Sequence, residues 1–253
     1  YRELVDVTKP DIFLLGSARY PGRTRIVGDG STVRSTVRVL APNLRGFGMA
    51  NVFVETGYPG STTVAAPAIM LETDDSIGDD STQVGANSQN YNWLLDNVMV
   101  ISDGTTTAGL LLAGASNGRV SNSTFAGCVY GIALASSRTP LNTPNDVHFE
   151  NIHFYNNITA DINTSVGIPP TLDTGGAVTG MDSVTWNRCF FYDVGGTPVT
   201  NYINMGIGVQ INGTFFDCFF NRSVADGTLT LLPVGVNIIG SYSPDGLESI
   251  VGA

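Results

Sequence analysis

One short phrase recurs through this chain and limits what it can fold into. It reads Leu95-Asp96-Asn97-Val98-Met99-Val100, then Val120-Ser121-Asn122-Ser123-Thr124-Phe125, Phe149-Glu150-Asn151-Ile152-His153-Phe154 and Trp186-Asn187-Arg188-Cys189-Phe190-Phe191. Met49-Ala50-Asn51-Val52-Phe53-Val54 upstream and Phe215-Phe216-Asp217-Cys218-Phe219-Phe220 downstream fit the same alignment. The anchors fall at 51, 97, 122, 151, 188 and 217, giving intervals of 46, 25, 29, 37 and 29 residues. A unit of that length cannot bury its own apolar face, so successive units must stack. Each phrase is expected to form one strand and its exit turn.

Apolar residues alternate within the phrase, as in Phe149 and Phe154 with Ile152 out of phase, so a strand aims one set of side chains inward. An Asn or small polar residue sits between them, where a bend needs left-handed backbone or a side-chain hydrogen bond. Trp93, Phe149 and Trp186 fall on inward positions. Tyr155 and Tyr192 share the next outward slot. The pattern predicts an all-β chain: a single-stranded, right-handed parallel β-helix spanning residues 1–253 as one domain, with long loop excursions near 57–92 and 167–180. The competing architecture is an antiparallel barrel or sandwich, for which Asp103-Gly104, Asn117-Gly118, Asn212-Gly213 and Asp226-Gly227 supply hairpin signals.

The opening segments, "YRELVDVTKPDIFLLGS", "TRIVGDGSTVRSTVRVLAPNLRGFGMANVFVETGYPG" and "AAPAIMLETDDS", read as strands broken by turns at Lys9-Pro10-Asp11 and Gly28-Asp29-Gly30. Over roughly the first 75 residues this order resembles the first coils of the pectin methylesterase family, within the pectate-lyase-like superfamily. The resemblance implies a parallel β-helix. The family's catalytic motifs are not retained: Ala66-Pro67-Ala68-Ile69 stands where a Gln is expected. Ile101-Ser102-Asp103-Gly104-Thr105 keeps only an Asp, and Tyr130-Gly131-Ile132-Ala133-Leu134 has no carboxylate in the nucleophile's place. That chemistry divides nucleophile and acid between two carboxylates, so esterase activity is not expected.

With 13% charged residues, 42% hydrophobics and 30 Gly, the composition suits strands and tight turns over helices. The net charge of −10 excludes a nucleic-acid or anionic-membrane partner that requires a basic footprint. Residues 1–50 hold eight basic against four acidic side chains, a local +4 that leaves −14 for the rest. Cys128, Cys189 and Cys218 match no metal spacing; Cys189 and Cys218 share an inward slot as buried thiols. His148 and His153 have opposite strand parity and cannot share a metal. The acidic run Asp74–Asp80 matches no EF-hand loop and reads as a solvated excursion. No cofactor, metal or catalytic residue is assigned.

The remaining candidates lie on outward positions. Tyr155 and Tyr192 form a strip suited to a carbohydrate or a second subunit. Asp96 with Glu150, and Asp193 with Asp217, are the carboxylates that stacked coils bring near one another, and glycoside hydrolysis needs such a pair about 5–9.5 Å apart. The reading adopted is a non-enzymatic virion surface protein, in the style of bacteriophage tailspike or capsid-decoration β-helices. Its expected partners are further copies in a homotrimer, other virion proteins and host polysaccharide, with a virion or extracellular location. An extracellular polysaccharide-degrading enzyme and a bacterial glycan-binding adhesin are the alternatives.

Overall fold

The computed structural model describes residues 3–17, 20–30, 34–40, 44–56, 66–72, 92–102, 104, 106–135, 144–164, 181–192, 201–204, 211–221 and 236–242. Among these there is no α-helix, and a single 3-10 turn occupies Pro21–Arg23. Among the described residues every strand-to-strand ladder is parallel, the one antiparallel contact being an isolated bridge between Glu72 and Gly114, which rules out the antiparallel barrel for this region.

The strands fall on three ladders, visited in a fixed cyclic order. The first ladder stacks Phe13–Leu15, the leading halves of Gly48–Glu55 and Trp93–Ile101, then Gly118–Ser121, Val147–Glu150, Met181–Asn187, Ile211–Phe216 and Val236–Ile239. The second stacks Arg25–Val27, the trailing halves of those two long strands, Thr124–Ala126, His153–Tyr155, Phe190–Tyr192 and Phe219–Asn221. Val5–Val7, Val37–Leu40, Ile69–Glu72, Ala108–Ala113, Tyr130–Ala135, Ala160–Asn163 and Asn201–Asn204 make the third. Ile69–Glu72 lies inside the interval expected as a loop excursion, so that interval contributes a strand. The rest of it, apart from Ala66–Ala68 and the residue at 92, and the excursion at 167–180, lie outside the described residues.

The recurring phrase turns out to straddle a bend instead of forming one strand and its exit. All six anchors adopt left-handed backbone: Asn51 at φ 58°, Asn97 at 51°, Asn122 at 50°, Asn151 at 54°, Arg188 at 51° and Asp217 at 49°. Asn and Asp enter this region more readily than other residues with a Cβ because their short polar side chains bond locally. The left-handed residue resets the alternation, which is why Phe149, Ile152 and Phe154 are all buried although Ile152 is out of phase. Pairing continues through the bend: the amides of Asn122, Asn151, Arg188 and Asp217 donate to the carbonyls of Glu150, Asn187, Phe216 and Ile239 one coil on. Side-chain amides stack as well, Asn97 Nδ2 donating to Asn51 Oδ1 at 2.7 Å and Asn151 Nδ2 to Asn122 Oδ1 at 2.9 Å.

A second left-handed column, Asp11, Gly46, Asn92, Asn117, Asp146 and Ser183, marks the entry to the first ladder. Gly118 follows Asn117 here because any Cβ would run into the Trp93 ring. Trp93 is buried and donates its indole N–H to the Ser116 carbonyl at 2.9 Å.

Inside the stack, equivalent positions form continuous aromatic columns. Phe149 lies on Trp186 with centroids 3.9 Å apart, and Trp186 on Phe215 at 5.7 Å. Phe125, Phe154, Phe191 and Phe220 follow one another at 6.3, 5.0 and 4.6 Å. Cys189 and Cys218 are buried free thiols in this core, as expected. The third ladder also has an apolar cluster on its other side, where Met70, Ala108, Leu111, Ala133 and Ala135 are buried. That side is apolar only in the middle coils: the column through Met70, Leu111 and Ala133 begins with Asp6 and Arg38 and runs on to Asn163.

Two outcomes test this account. Arg188 is the exposed anchor least suited to left-handed backbone, so Arg188→Asn is expected to stabilise by about 1 kcal/mol, raising Tm by roughly 2–4 °C in a thermal melt. Phe154→Ala, opening a hole in the middle of a ring column, is expected to cost about 3–5 kcal/mol in denaturant unfolding.

Candidate functional site

Two outward surfaces carry chemistry, one on each of the first two ladders. On the first ladder, one outward column runs Leu94, Arg119, His148, Thr185 and Thr214. The next runs Asp96, Ser121, Glu150, Asn187 and Phe216. Successive members are one coil apart, about 4.8 Å. Two adjoining hollows that share Arg119 and His148 make up a shallow groove here, one lined also by Asn92, Asn117 and Asp146 at the entry turns, the other by Glu150, Thr185 and Asn187 between the columns.

The groove residues are held by one another. Arg119 is ion-paired with Glu150. His148 Nδ1 is 2.7 Å from Thr185 Oγ1, and its Nε2 is 3.4 Å from Asp146 Oδ1. A carboxylate, an imidazole and a hydroxyl in sequence can pass a proton along. Acyl transfer also needs donors aimed at a developing oxyanion, and in this sheet the strand amides are engaged in the ladders, as Leu94 N is with the Phe47 carbonyl at 2.9 Å. Holding a ligand rich in hydroxyl groups needs only the side-chain donors and acceptors already in place.

The second ladder's outward face differs in kind. Its columns begin with Arg25 and Phe53, and with Val27 and Glu55, where Arg25 pairs with Glu55; from there they read Met99, Thr124, His153, Phe190 and Phe219, and Ile101, Ala126, Tyr155, Tyr192 and Asn221. Tyr155 and Tyr192 are in register and stacked, with centroids 5.1 Å apart and planes within 6°. His153 stacks on Phe190 at 4.7 Å, and Phe219 on Tyr242 at 5.7 Å. His153 Nδ1 sits 3.2 Å from the Tyr155 hydroxyl and Nε2 3.3 Å from Asn151 Oδ1. These partners fit the tautomer in which Nε2–H donates to Asn151 and Nδ1 accepts from Tyr155. Burial pushes the His153 pKa down. Burial, followed by the neighbouring Tyr192, pushes the Tyr155 phenol up.

The two tyrosines singled out from sequence are thus side by side and outward-facing. Phe190, Phe219, Tyr242 and His153 join them, and the position immediately before each phrase's final apolar residue was the signal for three of these four. Asp96 and Glu150 share a column as expected but lie two coils apart, about 9.6 Å along the stack, with Ser121 between them. Asp96 accepts from Ser121 Oγ at 2.7 Å and Asn122 Nδ2 at 2.9 Å. Asp217 is a bend anchor, and Asp193, Asp103 and the Asp74–Asp80 run lie outside the described residues. His148 and His153 sit on different ladders. Among the described residues no three His, Cys, Asp or Glu side chains are grouped to hold a metal ion.

The lowered His153 pKa has a signed consequence. Folding favours the neutral ring, so the stabilisation is complete above the ordinary histidine pKa and is lost as pH falls through it toward the folded value. Thermal melts from pH 7.5 to 5.0 should show the wild type losing more Tm than His153→Gln; equal losses would remove His153 as the source.

No protein-family model and no curated protein matches this chain. Among solved structures it is similar to the catalytic domain of a GH87 alpha-1,3-glucanase variant in complex with nigerose, at 12% identity and a TM-score of 0.28. The alignment covers 98% of this chain and spans 61% of that one.

Proposed function

We propose that the chain is a right-handed parallel β-helix that acts as a non-enzymatic contact module on the outside of a virion or cell, holding a host glycan in the groove of its first ladder. The cyclic order of the three ladders supports the β-helix, and the strong preference of parallel crossovers supports its hand. The observation that carries the glycan reading is the groove itself. Asn92, Asn117, Arg119, His148, Glu150, Thr185 and Asn187 present donors and acceptors at the coil repeat of about 4.8 Å. A linear chain of sugar rings lying along the stack offers hydroxyl groups at a comparable repeat. Such contacts are individually modest and add along the chain.

A polysaccharide-degrading enzyme is the second reading, favoured by one observation. The Asp96-to-Glu150 separation of about 9.6 Å along the column is close to the outer limit for inverting glycoside hydrolysis. Against it, Asp96 is held by Ser121 and Asn122 and Glu150 by Arg119, an arrangement that anchors both carboxylates within the sheet.

A glycan array probed with the wild type and with His148→Ala/Thr185→Val distinguishes the readings. Binding of at least one linear glycan, weakened about tenfold or more in the double variant, with no reducing sugar released on incubation, is the expected result. Reducing-sugar release abolished by Glu150→Gln would establish the enzyme instead.

A further inference from the structure

We propose that the aromatic strip on the second ladder is a self-association face, on which a second copy of this chain packs. The ten outward positions from Met99 and Ile101 to Phe219 and Asn221 include no Asp, Glu, Lys or Arg. The chain as a whole carries −10. Two copies of a strongly anionic molecule repel through most of their surfaces, and a face without acidic groups is where they meet at least electrostatic cost.

Ring geometry separates this partner from a sugar. A saccharide stacks its C–H face on the open face of an aromatic ring. Here Tyr155 and Tyr192 cover each other's facing sides, as do His153 and Phe190, so the strip presents ring edges and hydroxyl groups. Edges of rigid aromatic side chains suit packing against protein, where Tyr and Phe are enriched at interface centres. Within the strip Ile101 is 43% exposed, and apolar exposure continues beyond it, with Phe216 37%, Ile239 52% and Tyr242 59% exposed.

Five coils at about 4.8 Å make the strip roughly 20 Å long. On its own it is narrower than the ~800 Å² per partner of a stable interface, so it forms the core of a larger contact with a polar rim. Arg188 and Asp217, exposed and opposite in charge at the adjoining bend, belong to that rim. The coil repeat provides the match: a copy laid alongside with its stack parallel or antiparallel presents rungs at the same spacing.

Native mass measurement and sedimentation equilibrium of the full chain at neutral pH test this. The wild type should exceed monomer mass in the micromolar range, and Tyr192→Glu should weaken association about tenfold or more. Thr214→Glu, an equal charge change on the first ladder outside the groove, should leave it intact. Tyr155→Ser/Tyr192→Ser replaces the charged variant if that one does not melt cooperatively, with the same loss expected. A wild type monomeric at about 100 µM, or an assembly that survives the tyrosine variants, overturns the proposal. Glycan binding by the dissociated variant is scored separately, so failure of the groove reading leaves this result standing, and the reverse.

Discussion

Most of this structure depends on a backbone constraint met in six successive coils, from Asn51 to Asp217: a residue held at φ near +50° between two short strands. In a straight strand successive side chains alternate, and one sheet would run on until twist made it unpackable. A left-handed residue turns the chain while its amide stays in the ladder, so two sheets at an angle share one continuous set of coil-to-coil hydrogen bonds. The four asparagines at this position reduce the conformational cost, and their side chains pair in two separate steps along the column. Arg188 and Asp217 show that the geometry is imposed by the stack and not by the residue alone.

Once the bends are set, packing follows by repetition. Each inward position meets its own equivalent one coil away, so a large ring is best followed by another large ring. Phe149, Trp186 and Phe215 form one such column, and Phe125, Phe154, Phe191 and Phe220 another. The same logic operates outside. Repetition turns Tyr155, Tyr192, His153, Phe190 and Phe219 into a strip, and scattered Arg, His, Glu and Thr residues into a groove.

The three faces are thereby given different tasks. The third ladder is apolar inward along the stack and apolar outward in its middle coils, with Asp6, Arg38 and Glu72 on its outward side near the first coils. The first offers a polar groove whose side chains hold one another in ion pairs and hydrogen bonds. The second is aromatic and free of Asp, Glu, Lys and Arg from Met99 and Ile101 onward, its charged pair Arg25 and Glu55 lying in the first coils. A shared ligand would have to cross the bend at Asn151, where the character of the surface changes within a few residues.

The alternation and interval of the phrase were enough to determine an all-β stacked chain, the inward burial of Trp93, Phe149 and Trp186, and the outward direction of Tyr155 and Tyr192. These are local properties, set by strand parity and by the inability of one coil to bury its own face. The left-handed bend was readable at Asn51, Asn97, Asn122 and Asn151 but not at Arg188, whose preference opposes it. Which residues meet was decided only by the tertiary structure. Arg119 and Glu150 are 31 positions apart and His148 and Thr185 37 apart, and no local rule specifies the loop lengths that bring them into register. The Asp96 and Glu150 slot was legible, and so was Ser121 in the phrase between them; that Asp96 accepts from Ser121 and Asn122 while Glu150 pairs with Arg119 was not, because those partners are set by the register of the stack.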